Sequence, residues 1–275
     1  MAISSFIPTV WSETLLSELN KQYIAVRNCN REFEGDIKNK GSVVKIGAIG
    51  DINVFDYTKD TDMEAPQTLS DSDITLTIDQ AKAFNFQIDD IDRAQTQPKI
   101  MKAALRKAAN ALSDVADKYI YNMHNCVRNG HYIFADGVTA DSIIGWIAEA
   151  RQRLIQNGVT DSTEMVLEVS PLIAAMILQA KLNIATDNSE IIESGYIGNL
   201  FGFKIYASHN IVINEDGVHL CFVRTRRAIA FAEQLNEVEA YRPESRFADA
   251  VKGLHLYGAK IIYPDEFFVL EALPG

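Results

Sequence analysis

The sequence predicts an α+β chain of two lobes joined by one long helix, and three observations carry that expectation. From Pro98 to Val127, PKIMKAALRKAANALSDVADKYIYNMHNCV, apolar residues recur at steps of three and four with no internal Gly or Pro. Before it, SVVKIGAIGDINVF (Ser42 to Phe55) and Ile74 to Ile78 alternate as strands do, separated by a long charged stretch. After it, helix-like and strand-like segments succeed one another from about Thr139 to Ala232, and strand patterns then return.

In chain order, Ile3 to Pro8 is apolar and irregular, and a helix is predicted from Trp11 to about Tyr23. Ser12 is a cap candidate there, and Leu15, Leu16, Leu19 and Tyr23 form the apolar stripe. With Phe6, Ile7 and Trp11 also apolar, this start reads as an arm. It packs either on its own domain or on a neighbouring copy. The two strands between Ser42 and Ile78 form an extended hairpin with a thin apolar face. A two-stranded ribbon is marginal by itself, so its cover is either the parent domain or another copy of the chain. Lys82 to Ile91, KAFNFQIDDI, reads as a strand entering the long helix through Asp89, Asp90 and Asp92. Those three fit no dedicated calcium loop and read as helix-start carboxylates facing a positive dipole.

The long helix is predicted to bury Ile100, Ala104, Ala108, Leu112, Val115, Tyr119, Met123 and Val127. Pro98 suits its first turn, Thr96 its cap and Gly130 its stop. At about 1.5 Å per residue it would span roughly 45 Å, a beam rather than one layer of a small core. Lys99, Lys102, Arg106 and Lys107 make its first half basic, by default a solvated face. Further on, TADSIIGWIAEARQRLIQ is a capped amphipathic helix ending at Gly158, EMVLEVS a buried strand, and Pro171 opens the helix PLIAAMILQAKL. After a polar segment, FKIYAS and HLCFV are strands, and the late strands Gly253 to Tyr263 and Phe267 to Ala272 return beside the long helix.

The bulk properties narrow the function. A formal charge of −11 argues against a protein that coats nucleic acid, which needs a basic face. Cys29, Cys126 and Cys221 lie far apart and read as reduced thiols. The start lacks the basic and apolar regions of a signal peptide, and no apolar run approaches a membrane span, so a soluble reducing compartment is expected. There is no phosphate-binding G-x-x-x-x-G-K-[ST] loop, no G-x-S-x-G and no HExxH, and Gly47 with Gly50 falls short of a dinucleotide fingerprint. The five histidines (His124, His131, His209, His219, His255) are scattered. His124, Cys126 and His131 cluster near the helix end without a recognised zinc spacing, and Cys29 lies between Arg27 and Arg31 with no triad partner. No residue is therefore assigned as catalytic, cofactor-binding or metal-binding, and no enzymatic activity is expected.

Several blocks carry a resemblance. FIPTVWSETLL, NREFEGDI, the strand GSVVKIGAIG, IDQAKAFNFQIDDIDRAQ, GYIGNLFGFKIYASHNI, AIAFAEQ and ESRFADAVKGLHLYGAKIIYP, in this order, resemble tailed-bacteriophage major capsid proteins of the Hong Kong 97-type fold. The resemblance covers nearly the whole chain and is strongest over Phe6 to Gln95. It implies an N-terminal arm at 1–34 and an extended E-loop hairpin at 35–80. It implies a peripheral (P) domain with a spine helix at 81–138 and 233–275, and an inserted axial (A) domain at 139–232. It also implies hexamers and pentamers of one chain closing into an icosahedral head around double-stranded DNA. A separate scaffolding protein and a portal would be partners, no membrane would be involved, and assembly in the host cytoplasm would precede residence in the virion. Some relatives cross-link covalently; Lys59 is a conceivable donor here without an identified acceptor. An encapsulin-like nanocompartment shell is the alternative of the same fold, and a soluble α/β enzyme the alternative of another class.

Overall fold

The computed structural model describes residues 8–33, 41–49, 56, 59, 71–89, 99–159, 165–183, 196–244 and 248–275. Four helices are described: α1 (Pro8–Gln22), α2 (Lys99–Tyr121), α3 (Ile143–Gln156) and α4 (Pro171–Asn183). The strands are β1 (Val43–Ile49), β2 (Asp71–Thr77), β3 (Gln80–Asp89), β4 (Tyr132–Val138), β5 (Met165–Val169), β6 (Tyr196–Leu200), β7 (Phe203–Ala207), β8 (His219–Thr225), β9 (Ile229–Tyr241), β10 (Ala248–Ile261) and β11 (Phe267–Pro274). They form a two-stranded ribbon β1–β2, a three-stranded sheet in the order β3–β10–β9, and a six-stranded sheet in the order β4–β11–β8–β5–β7–β6.

The expected beam is α2, 23 residues long, or about 35 Å. It stops short of Val127 because the chain tightens into a 3₁₀ turn at Asn122–Cys126. One face of α2 fills the central core against both larger sheets. Leu105, Ala109, Leu112, Ala116 and Ile120 are buried there with Phe231, Val251 and Tyr257 of the three-stranded sheet and with Phe222, Phe267 and Val269 of the six-stranded sheet. Tyr119 meets Tyr257 edge-on at 5.4 Å and Tyr121 meets Phe222 at 5.3 Å, so neighbouring rings of one helix touch different sheets. The predicted stripe is thus displaced. Leu112, Met123 and Val127 are buried as expected, Ala104, Ala108 and Tyr119 are half-buried, and Val115 is exposed. The face turns because Ser113 and Asp117 are buried on it too, polar residues that an apolar count leaves out.

Strands covered on both sides read as unbroken apolar runs, and period-two alternation sorts their side chains between cores. In β11, Phe267 and Val269 join the central core, whereas Phe268, Leu270 and Ala272 join a second core under α3 and α4. The expected return of this strand beside the long helix is therefore half of the picture. Its hydrogen-bonded neighbours are β4, in parallel, and β8, antiparallel, so it belongs to the six-stranded sheet. β10 lies in the three-stranded sheet beside the helix, as expected.

Both predicted appendages are anchored at home. Leu15, Leu19 and Tyr23 of the first helical segment are fully buried in the central core with α2. Of the two readings of the arm, packing on its own domain describes this helix. Phe6 and Ile7 lie outside the described residues. The base of the ribbon lies on the outer face of the three-stranded sheet, where Ile46, Leu76 and Ile78 bury Ala230, Ala232, Leu256 and Ile262. The ribbon crosses so closely that a Cβ on Gly258 would sit 2.2 Å from Thr77 O, a backbone atom that cannot yield. Gly258→Ala is expected to lift the ribbon from the sheet at a cost of about 1–3 kcal/mol. Limited proteolysis should then cut within β1 or β2 several-fold faster; unchanged protection would mean that the crossing is loose. The tip between β1 and β2, including Gly50, lies outside the described residues apart from Asp56 and Lys59.

Candidate functional site

The features with the most concentrated chemistry are two buried charged clusters at the junction of the N-terminal segment, α2 and the two sheets. The first begins just beyond α1, where the chain turns into the short 3₁₀ helix Val26–Asn28 and the N–H groups that lead into it have no helical acceptor. Asp117, one turn from the end of α2, supplies them: its Oδ2 accepts from Ile24 N–H at 2.9 Å and its Oδ1 from Val26 N–H at 3.1 Å. Directly beyond, Arg224 of β8 and Glu168 of β5 are wholly buried and paired, Nη2 to Oε1 at 3.0 Å and Nε to Oε2 at 3.2 Å. Arg224 also donates to Asn28 O at 2.6 Å and Ala25 O at 3.0 Å, and Asn28 Nδ2 donates to Glu168 Oε1 at 2.9 Å. The Glu168 carboxylate holds the Arg224 guanidinium protonated against the cost of burial. Apart from the Arg224–Glu168 pair itself, which joins β8 to β5, these bonds tie residues 24–28 to α2 or to the six-stranded sheet.

Burial pushes the Asp117 carboxyl from its ordinary 3.8 up to about 7, against the pull of the Ile24 and Val26 N–H groups. A carboxyl that holds its proton more tightly in the folded chain stabilises that chain at low pH. The benefit falls as the unfolded chain ionises near 3.8 and is gone once pH passes about 7. Asp117→Asn keeps an acceptor oxygen and removes the titration. The difference in urea midpoint between the variant and the parent should therefore shift in the variant's favour between about pH 4 and pH 7. A difference constant across that range would place the Asp117 pKa near its ordinary value.

The second cluster centres on Glu233 of β9. Its Oε2 accepts from Tyr23 OH at 2.5 Å and lies 2.8 Å from His255 Nε2, and its Oε1 pairs with Arg31. Burial raises the Glu233 pKa, but hydrogen bonding and charge from His255, with Arg31 and Tyr23, hold it below the ordinary carboxylate value. Here too the partners are the N-terminal segment on one side and a sheet on the other. Asn30 adds a one-residue parallel bridge to β9 at Ala230. Both clusters position; neither presents a nucleophile to solvent.

The residues weighed for chemistry are scattered. Cys29 and Cys221 are buried, with thiols pushed up to about 11 and about 12 by desolvation, so both stay protonated and inert. Arg27 and Arg31 do not activate Cys29; Arg31 turns to Glu233. His131 stacks on Phe268 at 4.4 Å, with Nδ1 3.1 Å from Phe267 O, while Cys126 is exposed and the His124 pKa is lowered by burial. Among the described residues no group of three or more His, Cys, Asp or Glu could hold a metal ion. His209 lies 3.1 Å from Asp114, and His219 is buried in β8. In the basic half of α2, Arg106 approaches Glu18 of α1 at 3.6 Å and Lys107 is exposed. Asp89 ends β3, Asp90 and Asp92 lie outside the described residues, and Lys59 is exposed.

Pattern reading missed the Arg224–Glu168 pair, although its signal was in the sequence: one charge near the end of each of two largely apolar strands, MVLEV and HLCFVRT. Such a charge is rarely buried unless paired, so two of them in buried strands point to each other.

No model of a known protein family matches the chain, and no curated protein does. Solved structures do. A structure from Mycobacterium phage Che8 is 30% identical, with 98% of each chain covered and a TM-score of 0.69. The capsid of the cyanophage P-SCSP1u shares 13% identity, covers 92% of this chain and 90% of its own, and has the same TM-score of 0.69. The fold extends to the SrpI encapsulin of Synechococcus elongatus, at 12% identity, 83% and 81% coverage and a TM-score of 0.56. Full-length similarity at that identity to a phage structure, within a fold shared by phage capsids, fixes the assignment: the chain belongs to the tailed-bacteriophage major capsid protein family, a structural component of the virion shell and not an enzyme.

Proposed function

We propose that the chain builds an icosahedral phage head of the Hong Kong 97 type, forming hexamers and pentamers that enclose double-stranded DNA. The observation that carries this reading is the end-to-end match, 98% of both chains, to a phage structure at 30% identity. In this reading α2 is the spine of a peripheral domain built on the three-stranded sheet, and the six-stranded sheet with α3 and α4 is the core of the axial domain. The β1–β2 ribbon is the base of the E-loop, and residues 1–34 are the N-terminal arm. Head-to-tail contacts between copies close into rings when the rotation per copy allows it, and the tip of each ribbon is covered by the next copy. A separate scaffolding protein and a portal complete the assembly in the host cytoplasm. The negative charge of −11 keeps the inner wall from binding the genome tightly.

Sedimentation of the purified chain, alone and with its co-expressed scaffold, tests this. Rings and larger closed particles are expected. Monomers and dimers under every condition would contradict it. Particles filled with a protein cargo and without DNA, in cells lacking phage tail genes, would favour the encapsulin-like reading suggested by the shared fold.

A further inference from the structure

Two Asn-Gly pairs occur in the described chain, Asn129–Gly130 and Asn157–Gly158, and they flank the same turn at Asp265. We propose that Asn129 is a site of spontaneous deamidation in the folded protein and that Asn157 is protected. The reaction is intramolecular. The Gly130 backbone nitrogen, after losing its proton to solvent base, attacks Asn129 Cγ; a C–N bond forms and Nδ2 leaves as ammonia. Water then opens the five-membered imide at either carbonyl, leaving aspartate or isoaspartate at position 129. Glycine on the C-terminal side leaves the attacking nitrogen unshielded by a Cβ.

The ring closes only if the peptide between the two residues rotates and its nitrogen is free. At Asn129 both conditions hold. Residues 128–130 are exposed in a turn closed by one backbone hydrogen bond, His131 N–H to Arg128 O at 3.0 Å. Neither the Gly130 N–H nor the Asn129 amide has a partner among the described residues, and nothing lies within 4 Å of a Cβ built on Gly130. Asn157 shares the dipeptide but not the freedom. It ends α3 with its N–H bonded to Arg153 O and Leu154 O, and the attacking nitrogen, Gly158 N, is tied to Ile155 O at 2.9 Å. Its side-chain Nδ2, the leaving group, donates to Asp265 O at 2.8 Å. Rotation at 157 breaks the cap of a helix; rotation at 129 breaks one turn.

The product adds a negative charge to a chain already at −11, next to Arg128, whose Nη1 holds Asp265 Oδ1 at 2.5 Å. The new carboxylate competes for that guanidinium at the joint between α2 and β4. Each copy changes independently, so an ageing population becomes heterogeneous in charge.

The test is incubation of the full chain at mildly alkaline pH, followed by digestion under acidic conditions and fragment mass spectrometry of both sites. In the folded protein, Asn129 is expected to convert several-fold faster than Asn157, and the fast-forming acidic species should vanish in Asn129→Gln. In urea, where both dipeptides are unstructured, the two rates should converge. Equal rates in the folded chain would overturn the proposal. So would an unmodified Asn129 in a folded chain whose denatured form deamidates readily.

Discussion

Arg224→Leu is expected to lower the unfolding free energy by about 3–5 kcal/mol, because it leaves the Glu168 carboxylate buried without its counter-charge. The same change takes the guanidinium donor from Asn28 O, and from Ala25 O, which keeps the Asn28 N–H and the Cys29 thiol as donors. The loss therefore spreads beyond one sheet: residues 24–28 lose their hold on β8, and the N-terminal segment is left with its apolar face, the Asp117 contacts and the Glu233 cluster. Replacing both partners, Arg224→Leu with Glu168→Leu, should cost less than the two single changes added together, since no isolated charge remains. Urea unfolding of the four proteins measures this directly. An Arg224→Leu variant within about half a kcal/mol of the parent would mean that the clasp contributes little, as exposed ion pairs usually do.

Replacing residues 56–70 with a short Gly/Ser link is expected to leave a folded protomer with an unchanged melting temperature and to abolish closed particles. The reason lies in where the ribbon is buried. Ile46, Leu76 and Ile78, at its base, belong to the chain's own core and are untouched by the replacement. The removed stretch carries Asp56, Asp60, Asp62 and Glu64 against Lys59 alone and offers little apolar surface of its own. Its contribution is expected only when copies meet. Thermal unfolding and sedimentation on one preparation separate the effects. A protomer that fails to fold would place the tip within its own core, and normal particles would show that the tip is dispensable.

What could be read from the sequence was whatever lies along the chain. The long helix, the ribbon strands, β5, β7, β8 and the Pro171 helix follow from local period and punctuation. β5, β7, β8 and the Pro171 helix match within a residue or two, the long helix ends at Tyr121 rather than Val127, and the first ribbon strand is described only to Ile49. β4 and β6 were missed because Gly137 and Gly198, both at positive φ, interrupt short strands that carry no clean alternation. The sheet membership of β11 was not legible because its partners, β4 and β8, are more than forty residues away in sequence. A strand apolar on both faces gives no hint of which sheet it joins. The buried face of α2 was misplaced where function overrides pattern: Asp117 faces the core to hold the Ile24 and Val26 N–H groups, and it carries Ser113 inward with it. The charged clusters join residues up to 210 positions apart, Tyr23 to Glu233 being the widest. No spacing rule reaches that far.

The central claim is that this chain is finished only in company, its ribbon anchored at home and extended onto a sister copy. Electron cryo-microscopy of the assembled particle tests it most directly. The density should show β1 and β2 seated on the three-stranded sheet of their own protomer and residues 50–70 lying against the next protomer of the ring. Density in which residues 50–70 fold back onto their own body, with adjacent protomers meeting elsewhere, would contradict it.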